Sequence, residues 1–184
     1  MRILGIDPGS RRTGYGCVER HGSRHTLVVC GILAGPAKAA FPDKLKIIHA
    51  GLAALLAQHR PECVAIEDIF HHRDKQNPRS ALRLGEARGV ALLAAAEAGV
   101  PVVTYAPATV KRAVVGYGRA EKPQVQQMIK LLLGLDEAPS PHDVADALAV
   151  ALCHIQSSTG TAALVRDHAR PRAGMPRSWR DYRP

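Results

Sequence analysis

Aromatic residues are scarce in this chain: two Phe, four Tyr and one Trp among 184 residues. The core must therefore be built from Leu, Val, Ile and Ala rather than from rings. Paired cysteines are missing too. Cys17, Cys30, Cys63 and Cys153 lie far apart, three of them in apolar runs, with none of the close C-x-x-C spacing of a zinc or redox site. Buried free thiols in a reducing compartment are the expectation. Nowhere does an uninterrupted apolar run approach the ~18 residues of a membrane-spanning helix. Asp7 also interrupts the N-terminal residues before an apolar leader could form. These absences together predict a cytoplasmic protein.

Negative charge is the next shortage. Sixteen Asp and Glu face 25 Lys and Arg, leaving a formal charge of +9. Six arginines beyond residue 156, set against Asp167 and Asp181, account for +4 of this, so +5 remains on the rest. Such a balance points to a polyanionic partner, although bulk charge alone does not establish nucleic acid. The length allows one domain with a sizeable core. That domain is expected over residues 1–156, and the Arg-, Pro- and Gly-rich residues 157–184, with little to bury, read as a basic disordered tail.

What is present is patterned. Residues 2–7, 13–19 and 25–33 read as strands punctuated by Pro8-Gly9 and His21-Gly22, so an antiparallel meander is predicted. From Asp43, Leu45, Ile48, Leu52, Leu55 and Leu56 recur at helical spacing until Arg60-Pro61. A fourth strand spans residues 62–69, followed by a polar loop over 71–78. Residues 80–98 form a helix rich in small residues, and 101–105 a fifth strand. Shorter helices follow at 109–115 and 122–133, and a last one at 141–156. This order predicts an α/β fold, a five-stranded mixed sheet with helices on both faces.

Four carboxylates fit this scaffold poorly as structural residues. The first strand ends on Asp7, followed at once by Pro8-Gly9-Ser10 and by Arg11 and Arg12. An Asp before Pro-Gly is also ordinary turn chemistry. The fourth strand, Val64-Ala65-Ile66, ends on Glu67 and Asp68. Period-2 geometry sends those two to opposite faces, and spacing alone cannot choose between them. In PSPHDVADALAVAL, Ser140 and Pro141 can open a helix and Asp143 can complete a capping pair. Asp146 has no such excuse. Its neighbours one and two turns on are Ala149, Val150 and Cys153, with no Lys or Arg one turn away on that helix. Burying even a neutral polar group unpaired costs on the order of 2–7 kcal/mol. Asp143 and Asp146 share a face, roughly 5–6 Å apart at Cβ, and two like charges so close favour a cation between them. If these acids converge they make an all-oxygen site suited to Mg²⁺ or Mn²⁺. Two such ions roughly 3.5–4 Å apart can activate water and stabilise the leaving oxygen of a phosphodiester. The arginines beside Asp7 would then face phosphates.

The stretches GIDPGSRRTGYG, AIEDIF, LGEARGV, AEKPQVQQMI and HDVADALAVAL, in this order, resemble the bacterial RuvC-type Holliday-junction resolvases over about residues 1–156. The resemblance implies an RNase H-like fold, a homodimer, and paired, symmetric, metal-dependent nicking of four-way DNA junctions in recombination and repair. It implies catalytic, metal-holding roles for Asp7, Glu67, Asp143 and Asp146, with two Mg²⁺ (or Mn²⁺) ions per site and products ending in a 5′-phosphate and a 3′-hydroxyl. It also chooses Glu67 over Asp68. Some relatives carry His at the position of Asp143. Phe70 matches an aromatic residue that inserts at the opened junction, and Lys111 and Lys122 match basic residues near the scissile phosphate. A branch-migration motor of the RuvA and RuvB type is the implied partner. The stretch HHRDKQNPRS after Phe70 looks longer than usual, so Arg73 and Lys75 are candidate DNA contacts by charge and position only. Three alternatives compete: an actin-like ATPase, which needs a second phosphate loop that this chain does not contain; a YqgF-type nuclease acting on RNA; and a module that binds junctions without cutting them.

Overall fold

The computed structural model describes residues 1–68 and 78–160. Phe70, Arg73 and Lys75 lie outside the described residues, as does the expected basic tail from residue 161 onward. Three strands open the chain, β1 (Arg2–Asp7), β2 (Arg12–His21) and β3 (Arg24–Ala34), paired antiparallel as their short connections require. The hairpin pairing continues to His21 opposite Arg24, so both strands outrun the apolar pattern that marks them in the sequence. The helix α1 (Phe41–His59) then leads to β4 (Cys63–Glu67), and α2 (Pro78–Glu97) leads to β5 (Val102–Tyr105). Both later strands run parallel to β1, giving the sheet order β3-β2-β1-β4-β5. The helices α3 (Pro107–Val115), α4 (Lys122–Leu133) and α5 (His142–Gly160) complete the described residues.

The two faces of the sheet bury two separate clusters. Leu4, Ile6, Val64 and Ile66 pack with Ile48 and Leu52 of α1 and Ala91, Ala94 and Ala95 of α2. Ile3, Val18 and Ala65 pack on the other face with α3, α4 and the apolar length of α5. No ring is among the fully buried hydrophobic side chains of the described residues, and three of the four free thiols are buried, with Cys30 half-buried. The helices thus cover both faces of a mixed sheet, as the order of elements predicts.

Alternation along the strands decides where the acids point. Ile3 and Ala65 face α5, so Asp7 and Glu67, at even spacing beyond them, face the same way. Ile6 pairs with Ile66 in the parallel register, which sets Asp7 and Glu67 side by side at the strand ends. Asp68 goes to the other face, where Arg88 Nη2 of α2 lies 3.5 Å from its Oδ1.

The seating of α5 depends on glycine. A Cβ at Gly5 would overlap the carbonyl of Ala147, and one at Gly14 the carbonyl of Asp143. At Gly16 it would meet the side chain of Leu148 at 2.5 Å. At Gly5 and Gly14 the helix backbone therefore comes down directly onto β1 and β2, which lowers its first turns onto the strand ends. Its bounds differ from the sequence reading at both ends. Val144 N–H donates to Pro141 O at 3.0 Å, moving the capping position from Ser140 to Pro141, which has no side-chain oxygen to cap with. At the far end the helix runs to Gly160, past Gln156, and Ser158 Oγ bonds back to Ile155 O at 2.9 Å.

Gly5→Ala puts a methyl against helix backbone that cannot yield by changing rotamer. It should cost about 3 kcal/mol, the upper part of the usual overpacking range, read as a lower urea midpoint with an unchanged slope. A midpoint equal to wild type would mean that α5 does not rest on β1 in this way.

Candidate active site

Four carboxylates gather at the C-terminal end of β1. Asp7 and Glu67 come from adjacent parallel strands, and Asp143 and Asp146 from the first turns of the helix laid across them. The consequence is mutual repulsion in a partly buried place. Asp7 is pushed up to about 8, first by burial and then by the charges of Glu67, Asp146 and Asp143. Glu67 is pushed up to about 7 by burial and by Asp146, against the pull of Lys122 and Lys111. These shared influences bring together all four acids and both lysines of the sequence reading.

Two cations hold the acids of α5. Lys122, the first residue of α4, donates from Nζ to Asp146 Oδ2 at 3.2 Å. Burial works against the charge of Lys122, but Asp146, Asp7 and Asp143 outweigh it and keep its pKa above the ordinary lysine value. The partner that Asp146 lacks on its own helix is thus supplied by another one. Arg12 Nε lies 2.6 Å from Asp143 Oδ2, facing an acid where the sequence reading had it facing a phosphate. The contact is one of charge alone, because that oxygen is buried without an aligned hydrogen-bond donor among the described residues. Arg11 is exposed and lines a neighbouring cleft with Arg12. The glycines that seat α5 escaped the sequence reading, although the alternate spacing of Gly14 and Gly16 in TGYG was a visible signal.

Among the described residues no three His, Cys, Asp or Glu side chains already surround a metal-sized position, since Asp143 and Asp146 are turned onto Arg12 and Lys122. The donor set nevertheless fits a hard divalent cation. It is all oxygen, two of its acids are pushed up chiefly by burial and then by neighbouring charge, and one Asp143 oxygen is buried without a hydrogen bond.

A five-stranded mixed sheet in this order, covered on both faces and carrying carboxylates on its two central parallel strands and on the helix across them, defines an RNase H-like protein with an acidic centre. Residues 3–154 match the family described as crossover junction endodeoxyribonuclease RuvC, and the chain belongs to that family of nucleases. It is 49% identical over 187 residues to the crossover junction endodeoxyribonuclease RuvC of Trichlorobacter lovleyi, with both chains covered in full. It is 51% identical to that of Geobacter sp. strain M21, over 90% of this chain and 98% of the other. Among solved structures, Thermus thermophilus RuvC superposes with a TM-score of 0.77 at 39% identity, over 88% of this chain and 98% of that one. The T. thermophilus protein in complex with a Holliday junction substrate gives 0.78 at 36% identity, over 88% and 97%. The RNase H-like fold and the nuclease family implied by the sequence motifs are both borne out.

The electrostatics fix a sign for stability against pH. Asp7 and Glu67 bind protons more tightly folded than unfolded, where their ordinary values are 3.8 and 4.5. Their contribution is therefore full below about pH 4 and lost as pH rises through 7 to 8. In EDTA the Tm should fall between about pH 5.5 and about pH 8.5, and Asp7→Asn should flatten that fall and raise the Tm at the higher pH. A wild-type Tm that stays level or rises would contradict the crowding of these acids.

Proposed function

We infer that this chain resolves four-way DNA junctions by nicking two strands symmetrically, in a reaction that requires Mg²⁺ or Mn²⁺. The observation that carries the reading is the convergence of Asp7, Glu67, Asp143 and Asp146, from β1, β4 and α5, in a member of a junction-endonuclease family. The Holliday junction held by the T. thermophilus relative supports the choice of substrate.

Asp7 is influenced by all three other acids, so Asp7, Glu67, Asp143 and Asp146 would together hold the divalent ions, with Asp7 the central residue of the set. When bound, divalent ions supply the Lewis-acid charge that activates water and offsets the leaving oxygen. Lys122 stays charged beside the acids and Lys111 acts on Glu67 from α3. Both are suited to balance the charge that grows on the phosphate oxygens, leaving a 5′-phosphate and a 3′-hydroxyl. Arg11 and Arg12 contact flanking phosphates, Phe70 inserts at the opened junction, and Arg73 and Lys75 follow the DNA backbone beyond it. The protein works in the cytoplasm with a branch-migration motor of the RuvA and RuvB type. The described residues contain no helix long and apolar enough to cross a membrane.

Symmetric incision needs two active sites related by a two-fold axis, hence a homodimer. The exposed side of α2 supports the seam. Leu82 and Leu93 are 68% and 52% exposed there, and Gly85 and Gly89 lie between them on the same side. A Cβ added at either glycine would meet nothing within 4 Å. Each glycine costs a helix interior about 1 kcal/mol relative to Ala, and nothing among the described residues uses the space it leaves. A second copy of α2 would.

The reading is tested with a labelled four-way junction and a matched linear duplex in EDTA, Mg²⁺ or Mn²⁺. Paired nicks are expected in the junction alone and only with metal. Asp7→Asn should keep junction binding while losing cleavage by about a hundredfold or more. Cutting of structured RNA with the junction ignored would overturn the substrate, and retained cutting by Asp7→Asn would overturn the site. Gly89→Leu should sediment as a monomer with unchanged helix content. A dimer of normal stability would move the seam elsewhere.

A further inference from the structure

A cleft of about 730 Å³ opens on the side of the β1–β2 turn away from the acids. Arg11 and Arg12 form one wall, and the β3–α1 connection with the first turns of α1 and α2 forms the others, bringing in Phe41, Lys44, Ser80 and Arg83. Four cations line it, and no acidic residue is among its described lining. Asp43, in the first turn of α1, is not part of the wall.

These cations are held. The Arg83 guanidinium lies 5.2 Å from the centre of the Phe41 ring, and Lys44 Nζ donates to Ala37 O at 2.9 Å. The helix α1 starts on Ala40 with no side-chain cap, so its first-turn N–H groups add to the positive potential. The cleft also borders the acidic centre, because Arg12 belongs to its wall and touches Asp143. All of this lies at the edge of the sheet where β1 ends, the edge that carries the acids.

We propose that this cleft seats backbone phosphates of a junction arm beside the cut, with Arg83 and Lys44 as the contacts that fix the arm and Arg12 as the boundary between cleft and acids. The proposal rests on the junction-resolving reading and adds to it two DNA-contacting residues and a path for the strand. An open cleft with cations on several walls suits a phosphodiester chain, which presents one charge per nucleotide and must pass along the surface.

The test measures the dissociation constant for a four-way junction in EDTA, across a series of salt concentrations, for wild type, Arg83→Gln, Lys44→Gln, the double variant, and Arg24→Gln. Arg24 is exposed at the β2–β3 hairpin, the opposite end of the sheet. Removing one cation that meets a phosphate should flatten the slope of log K against log salt by about one, and the double variant should bind about tenfold more weakly near 0.1 M salt. Arg24→Gln should match wild type. If Lys44→Gln unfolds by circular dichroism, Arg83→Gln alone carries the comparison. Wild-type affinity and slope in a folded double variant overturn the cleft. A loss as large in Arg24→Gln overturns it too, because net charge would then set the affinity. Wild type that binds and cuts the junction while the cleft variants bind equally well rejects the cleft alone. Wild type that neither binds nor cuts it rejects the resolvase reading and the cleft together.

Discussion

The packing of α5 on the bare backbones of β1 and β2 sets the distance on which the site depends. A helix on a sheet is ordinarily held off by a layer of side chains. Here Gly5, Gly14 and Gly16 remove that layer, and the Ala147 and Asp143 carbonyls occupy the space. Small residues continue the fit on the helix side, where Ala145, Ala147, Ala149 and Ala151 are buried. The close approach therefore joins a good helix former, the Ala- and Leu-rich α5, to strands whose glycines carry no side chain. Lifting the helix by one methyl group would carry Asp143 and Asp146 away from Asp7 and Glu67 together, because all four are positioned by this one interface.

The platform gathers charges that do not favour folding. Asp7 near 8 and Glu67 near 7 are acids that would rather be neutral, and burial is the first cause for both. Arg12 and Lys122 relieve only the two acids of α5 directly. The remaining imbalance is a local violation of the rule that buried charges are paired, of the kind proteins keep where function requires it. Stability comes from elsewhere, chiefly from two aliphatic clusters that need no aromatic residue to fill them.

Much of this could be read from the chain. Alternation and helical spacing give every element in order, and the bounds of α4 match to the residue, because its start is marked by Glu121 and Pro123 and its end by Gly134. The choice between Glu67 and Asp68 could not be read from spacing. Period 2 says that they part but not which face α5 will cover, and that is decided by Ala65 packing under a helix some eighty residues later. Asp146 stood out as an acid on an apolar stripe, yet its partner, 24 residues earlier in the chain, was invisible to any local rule. Ser140 misled because a Ser-Pro pair fits a helix start in two registers, and only the bond from Val144 to Pro141 distinguishes them.

One end of the sheet therefore carries both signs of charge, with Arg12 and Lys122 set against the acids of α5 and a second group of cations across the strands. On the α5 side lie the carboxylates, and on the α1 and α2 side lie Lys44 and Arg83. A nuclease needs both, since acids that attract metal also repel the polyanion to be cut. Lys44 and Arg83 come from α1 and α2, the helices on the sheet face opposite α5, so this group lies across the same strand ends from the acids. Arg12 marks the crossing. Its backbone begins β2, its side chain touches Asp143, and its flank forms the wall of the basic cleft. A phosphate arriving from the cleft would meet Arg12 before it meets the acids. The guanidinium that lies against Asp143 is thus also part of the cleft wall, so one side chain belongs to both charge groups.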